Sequence, residues 1–157
     1  ERLQREAVSV LGRCTPPIGP NGQETGLVIG YVQSGKTMSF TTVAALARDN
    51  GYRLVIVCTG LTRNLFTQSR ERLERDLRLG DRRDRQWLFL HNPLSRPEVL
   101  QSIQMALDDD DSLPGARHTT VLIAVMKNGT RLDYLRRLLS QLDLAGVPAL
   151  IIDDEAD

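Results

Sequence analysis

Short apolar runs of strand length, separated by segments of helical periodicity, constrain the fold of this chain most. Two of these runs, residues 53–58 and 119–126, contain few polar residues. A strand that is apolar on both faces must be covered on both faces, which is typical of a parallel sheet enclosed by helices. Three shorter runs, residues 27–30, 87–90 and 149–152, have the same character. The alternation predicts an α/β fold, a mostly parallel sheet with helices on both faces.

Helical patterns lie between these runs. The spacing of apolar residues predicts helices over residues 37–48, 62–79, 97–107 and 132–142, and residues 3–11 form a short amphipathic stretch. A stretch rich in proline and glycine, residues 16–22, is incompatible with a helix. We therefore expect an N-terminal segment with a turn-rich connector over residues 1–24, followed by one α/β domain over residues 25–157.

Composition excludes several classes of protein. The 157 residues include 20 basic and 20 acidic residues, and this zero net charge indicates no general attraction to nucleic acids or membranes. No apolar run approaches the ~18 residues of a membrane span. The two cysteines are too few for a disulfide framework. Because the chain begins with neither methionine nor a signal-peptide pattern, we expect a cytoplasmic fragment of a longer protein.

One segment matches the phosphate-binding pattern G-x-x-x-x-G-K-[ST]: Gly30-Tyr31-Val32-Gln33-Ser34-Gly35-Lys36-Thr37. Between a strand and a helix, such a loop points backbone N–H groups at a phosphate. The two glycines allow this backbone path, Lys36 reaches the β- and γ-phosphates, and Thr37 ligates Mg²⁺. The predicted nucleotide-binding residues are Gly30, Gln33, Ser34, Gly35, Lys36, Thr37 and Met38. The alternative is a chance match within a glycine-bearing loop.

The last predicted strand ends in carboxylates, because Asp153, Asp154 and Glu155 follow residues 149–152. In nucleotide hydrolases one such carboxylate holds Mg²⁺ and another polarises the attacking water. The carboxyl ends of parallel strands meet at one edge of a sheet, where ligands bind, so we expect these acids to lie near residues 30–37. The residues leave open whether Asp153 or Asp154 ligates the metal. A strand with an acidic cap and no catalytic role is the alternative.

Lys36-Thr37 in its loop and Asp154-Glu155-Ala156-Asp157 after a strand resemble motifs I and II of the superfamily-two helicases, the DEAD-type nucleic-acid-stimulated ATPases. The wording of both motifs is similar to the N-terminal ATPase part of bacterial endonuclease proteins that carry the so-called Z-one domain. The resemblance covers residues 25–157 and implies a first RecA-like P-loop domain that binds and hydrolyses Mg-ATP. It implies that Asp154 ligates Mg²⁺ and that Lys36 and Glu155 are catalytic.

The resemblance also implies a nucleic-acid partner, DNA, in the full-length protein. Residues 59–68 and 126–132 follow the runs at 53–58 and 119–126, and they are similar to motifs Ia and Ib. The contacts implied are from Thr59, Arg63, Asn64, Lys127 and Arg131. The residues themselves allow plainer roles: Thr59 as a helix cap, Lys127 and Arg131 as an exposed helix start. For most arginines between positions 63 and 85, a salt-bridged solvent face is the favoured interpretation.

A second RecA-like domain, which in such helicases supplies arginine fingers, is missing from this chain, so we expect weak or no ATP hydrolysis by this part alone. Three other functions compete with the ATPase. They are the nucleotide-binding module of a DNA endonuclease whose nuclease site lies outside this chain, a small-molecule kinase, and a nucleotide-gated scaffold. The first has no nuclease constellation here, since the acids group with the phosphate-binding loop. The kinase would need an acceptor pocket and a lid arginine.

Overall fold

A computed structural model describes residues 2–19, 22–28, 36–80, 86–108 and 118–154 of the chain. The helices within these residues are α1 (Arg2–Leu11), α2 (Lys36–Asp49), α3 (Arg63–Asp76), α4 (Pro97–Leu107) and α5 (Gly129–Leu139). The strands are β1 (Leu54–Thr59), β2 (Trp87–His91), β3 (Thr120–Met126) and β4 (Ala149–Asp153). Four of the five predicted strands are thus confirmed, with each end within one residue of its predicted position.

One helix begins three residues earlier than the apolar spacing predicts. The first turn of α5 is polar and carries no apolar periodicity, but Asn128 caps it. The Asn128 side-chain oxygen accepts a hydrogen bond from the backbone N–H of Arg131 at 2.9 Å. Such a cap satisfies one of the amide groups that a helix start leaves unpaired. Capping therefore fixed the start of α5, and the hydrophobic pattern fixed only its middle.

The four strands form one parallel sheet in the order β2-β3-β1-β4. β1 lies between β3 and β4, and its register brings Cys58 opposite Asp153 and Thr59 opposite Met126. The carboxyl ends of β1, β3 and β4 therefore meet at one edge of the sheet, which we call the carboxyl edge. The prediction of a parallel sheet is confirmed for the described residues.

Alternate residues of the central strands enter two separate hydrophobic clusters. Val55 and Val57 of β1 pack on the side covered by α1, α2 and α3. Leu54 and Ile56 pack on the side covered by α4 and α5. Both clusters contain fully buried leucine and valine side chains, each of which stabilises the fold by roughly 1.5–3 kcal/mol. We call the two sides of the sheet the α3 face and the α5 face.

The run at residues 27–30 differs from its prediction as a buried strand. Leu27 and Val28 belong to no strand, and their side chains are 76% and 65% exposed. Ile29 and Gly30 lie outside the described residues. Only three apolar residues separate Gly26 from Gly30. Glycine inside a strand weakens it. A run of three apolar residues between two glycines also offers few side chains to bury.

Candidate functional site

Polar side chains of three strands come together at the carboxyl edge. The backbone N–H of Asp154 donates to the Cys58 carbonyl at 2.9 Å, which continues the pairing of β4 with β1. The backbone N–H of Lys127 donates to the Gly60 carbonyl at 3.2 Å and ties the end of β3 to the same place. These residues form two layers, Thr59 and Asp154 on the α3 face, and Asp153 with Lys127 on the α5 face.

On the α3 face the Asp154 carboxylate is oriented by a buried hydroxyl. Thr59 is 1% exposed, and its hydroxyl donates to Asp154 Oδ2 at 3.1 Å. Thr59 Oγ1 also lies 3.1 Å from Ser69 Oγ in α3. Because a hydroxyl carries a single proton, Ser69 supplies the proton of that second hydrogen bond. The chain Ser69–Thr59–Asp154 therefore fixes one carboxylate oxygen, and the side chain remains partly exposed.

On the α5 face a lysine holds the end of β4. Lys127 Nζ lies 2.8 Å from Asp153 Oδ1, and it donates to the backbone carbonyl of Asp154 at 3.2 Å. The Lys127 side chain is only 17% exposed, whereas that of Asp153 is 50% exposed. The resemblance implied that both Thr59 and Lys127 contact nucleic acid. Here each contacts the acidic end of β4, and a nucleic-acid contact stays a prediction.

Cys58 lies on the α5 face beside Asp153 and is partly buried. Burial raises the pKa of the Cys58 thiol, the nearby Asp153 carboxylate raises it further, and the Lys127 ammonium opposes both effects. The thiol is therefore neutral at neutral pH. Since the thiolate is the nucleophile and metal ligand, Cys58 behaves as a small apolar residue at this edge.

The remaining predicted nucleic-acid contacts lie in the first turns of two helices. Arg63 and Asn64 are exposed at the start of α3, where the Thr62 hydroxyl caps the helix by accepting from the Leu65 N–H. Arg131 is half-buried in the first turn of α5. Both helices begin at the carboxyl edge, so the positive ends of their dipoles lie at the same edge of the sheet as Asp154. Farther along α3, Arg70 pairs with Glu74 at 3.4 Å, as predicted for the arginine-rich stretch.

Several predicted nucleotide-binding residues and one predicted catalytic residue, Glu155, lie outside the described residues. The nucleotide-binding residues among them are Gly30, Gln33, Ser34 and Gly35. Lys36, Thr37 and Met38 form the first turn of α2, and the structure describes only their backbone. The expected convergence of the Lys36 ammonium with Asp154 and Glu155 therefore stays a prediction.

The position of α2 bears on that prediction. The helix ends at the edge of the sheet where the strands begin, which we call the amino edge. There the Tyr52 N–H donates to the Ala47 carbonyl at 3.0 Å, just before β1. Its 14 residues span about 21 Å, close to the length of six-residue β1 at about 20 Å. Its buried apolar residues pack on the α3 face: Phe40, Val43, Ala44 and Ala47. A helix of this length that lies along the sheet begins near the carboxyl edge.

The described residues of the carboxyl edge offer one oriented carboxylate to a metal ion. Among the described residues, no group of three or more histidine, cysteine, aspartate and glutamate side chains could hold a metal ion. Mg²⁺ in nucleotide sites needs no such cage, since one or two carboxylates, phosphate oxygens and water complete its shell. Asp154, with one oxygen fixed by Thr59, offers one such carboxylate.

A pocket lies at the amino edge of the sheet, opposite the carboxyl edge. It has a volume of about 390 Å³ and is lined by residues of four chain segments, among them Arg53, Leu107 and Gly146. Arg53 is buried and donates from Nη2 to the carbonyls of Ala106 and Leu107 at 2.9 and 3.4 Å. Its guanidinium therefore caps the carboxyl end of α4. That structural role accounts for a buried cation there.

Sequence reasoning missed three polar residues that shape the carboxyl edge. The side-chain oxygens of Asn128 and Asn92 accept hydrogen bonds from backbone N–H groups. The Ser69 hydroxyl is hydrogen-bonded to that of Thr59. An asparagine just before a polar helical turn is a readable capping signal, and Asn128 fits it. Nothing in the sequence marks Ser69, because its partner is set by tertiary packing.

Comparison of the chain with family models, with characterised proteins and with solved structures gives no match. Within the described residues, no helix combines the length and the apolar character needed to cross a membrane.

Proposed function

We propose that this chain is the nucleotide-binding part, a first RecA-like domain, of a helicase-type ATPase that uses Mg-ATP. The observation that carries the proposal is the oriented Asp154 carboxylate at the carboxyl edge. It follows β4 and is held by Thr59 at 3.1 Å. A phosphate-binding sequence that ends at the first turn of α2 supplies the second half of such a site.

Chain topology supports this pairing. From β1 the chain crosses by α3 to β2, and from β3 it crosses back by α5 to β4 on the opposite face. Such connections between parallel strands are right-handed. Since α2 shares the α3 face, it lies on the same face of the sheet as Asp154.

The chain's own residues then have distinct roles. The loop amides and Lys36 would hold the phosphates, Thr37 and Asp154 would ligate Mg²⁺, and Glu155 would orient the attacking water. The metal would neutralise charge on the phosphates. Thr59 holds the Asp154 oxygen in place, so less rotamer freedom is lost when the metal binds.

Nucleic-acid binding by the same edge is part of the proposal. Arg63, Asn64 and Arg131 lie in helical first turns whose unpaired N–H groups and dipoles favour phosphate. Lys127 is held by Asp153, so the arginines are the better candidates for the contact. We expect Arg63→Ala and Arg131→Ala to weaken single-stranded DNA binding in fluorescence anisotropy, with a smaller salt dependence.

Calorimetric titration of Mg-ATP tests the nucleotide site. Lys36→Ala is expected to weaken binding about tenfold or more, because it removes a charged donor to phosphate. Arg137→Ala, which removes one exposed positive charge on α5, is the matched control and should bind as the unaltered chain does. Absence of binding by the unaltered chain would refute the proposal. Binding without turnover, even with DNA and the full-length protein, would favour a nucleotide-gated scaffold instead.

A further inference from the structure

Two neighbouring carboxylates at the end of β4 have opposite surroundings. Successive side chains of a strand point to opposite faces, so Asp153 lies on the α5 face and Asp154 on the α3 face. Asp153 is paired with an ammonium at 2.8 Å, and Asp154 is held by a neutral hydroxyl at 3.1 Å. The two acids are therefore not equivalent toward a cation, although they are adjacent in the sequence.

The lysine that makes this difference is itself anchored from several sides. Lys127 lies in the two-residue connection between β3 and α5, and its backbone N–H donates to Gly60. The residue before it, Met126, donates its N–H to the Asn92 side chain at 2.9 Å, and the residue after it caps α5. Because the backbone on both sides of Lys127 is already held, fixing its ammonium costs rotamer entropy of the side chain alone.

The ammonium acts on both acids at once. It offsets the charge of Asp153, and by donating to the Asp154 carbonyl at 3.2 Å it fixes the peptide from which the Asp154 side chain leaves. Without Lys127, two adjacent carboxylates would compete for one cation, and the Asp154 backbone would lose a charged donor.

We propose that Lys127 is a positioning residue for the metal ligand Asp154, acting by sequestering Asp153. This inference rests on the proposed function, because it assumes that Asp154 ligates the Mg²⁺ of bound ATP. Partners of metal ligands typically change metal affinity about 10–100-fold when they are removed. The effect of Lys127 is conditional, since it depends on the presence of the Asp153 carboxylate.

The test is calorimetric titration of ATP with Mg²⁺ and again with EDTA, for the unaltered chain and four variants. The ratio of the two affinities isolates the contribution of the metal. Lys127→Met is expected to lower this ratio about tenfold, and Asp153→Asn to leave it within about twofold. The double variant Lys127→Met/Asp153→Asn should recover most of the ratio, because no competing carboxylate remains. Lys127→Arg, which keeps the charge, should retain it.

The outcomes separate the inference from the function beneath it. If Lys127→Met binds with an unchanged ratio, or if both affinities fall equally, Lys127 has only a structural or nucleic-acid role and the inference fails. If Lys127→Met does not fold, Asp153→Asn still tests the inference. A tenfold lower affinity ratio for Asp153→Asn would identify Asp153 as the metal ligand and overturn the inference. If the unaltered chain binds no ATP with Mg²⁺, the proposed function and the inference fail together. Urea unfolding of each variant checks that the fold is intact.

Discussion

Gly60 occupies a position where the backbone and the available space both require glycine. It follows β1 with φ of +71°, in the left-handed region. A Cβ at this residue would lie 2.4 Å from the backbone nitrogen of Phe66 and 2.5 Å from its Cα. The Gly60 carbonyl is also held by the N–H of Lys127. The loop can therefore relieve the clash only by moving α3 or by breaking this bond at the carboxyl edge.

The cost of Gly60→Ala follows from these two terms. An L-residue in the left-handed region costs roughly 1–2 kcal/mol, and overpacking against backbone costs about 1–3 kcal/mol. Alanine returns about 0.4–1 kcal/mol by restricting the unfolded chain. We expect a net loss of about 2–4 kcal/mol in the free energy of unfolding, a large share of the 5–15 kcal/mol typical of a domain.

Gly146 provides a matched control for this prediction. Its φ is +72°, and a Cβ there would meet nothing within 4 Å. Gly146→Ala therefore carries the backbone strain without the contact, and its expected loss is about 1 kcal/mol. Urea unfolding, compared by midpoint at constant slope, measures both variants. Equal losses for the two variants would refute the steric argument for Gly60.

Three further substitutions test polar contacts by urea unfolding. Thr59→Val removes the hydroxyl that holds Asp154 and should cost about 1–2 kcal/mol; full additivity with Asp154→Ala would contradict a direct bond. Tyr52→Phe loses a 2.7 Å hydrogen bond to the Thr15 carbonyl, worth about 1 kcal/mol. Burial raises the pKa of Tyr52 above the usual tyrosine value of about 10. The unaltered chain should therefore lose stability as the pH rises above that value, and Tyr52→Phe should lose less. An equal fall in the free energy of unfolding of both proteins would count against this reasoning. Asn92 has φ of +44°, and its side chain accepts from a β3 amide. Asn92→Gly suits the backbone but lacks the acceptor, so a loss of about 1 kcal/mol is expected, and a gain would mean that backbone strain dominates.

The strands were predictable because their information is local. An apolar run of four to six residues bounded by polar segments has few alternatives to a covered strand, and β1 to β4 all follow this rule. Strand order was not predictable in the same way. The insertion of β3 between β2 and β1 depends on how three crossovers pack, and several orders satisfy the same pattern.

The candidate site was predictable only in its parts. Thr59 and Asp154 are 95 residues apart in sequence, and nothing local connects a hydroxyl after one strand with a carboxylate after another. Their contact follows from the parallel register of β1 with β4. The roles predicted for Thr59 and Lys127 came from their places after two strands, which fixes the edge where they lie but not their partners.

The choice between Asp153 and Asp154 depends on which face of β4 is buried. Residues 150–152 are all apolar, so alternation in the sequence cannot assign the faces. In the structure Leu150 is 9% exposed on the α3 face, whereas Ile151 is 65% exposed, and this alternation places Asp154 with Thr59. We therefore expect Leu150→Ala to cost about 2–4 kcal/mol and Ile151→Ala under about 1 kcal/mol, measured by urea unfolding. A larger loss at Ile151 would mean that β4 presents its other face, and Asp153 would then take the place beside Thr59.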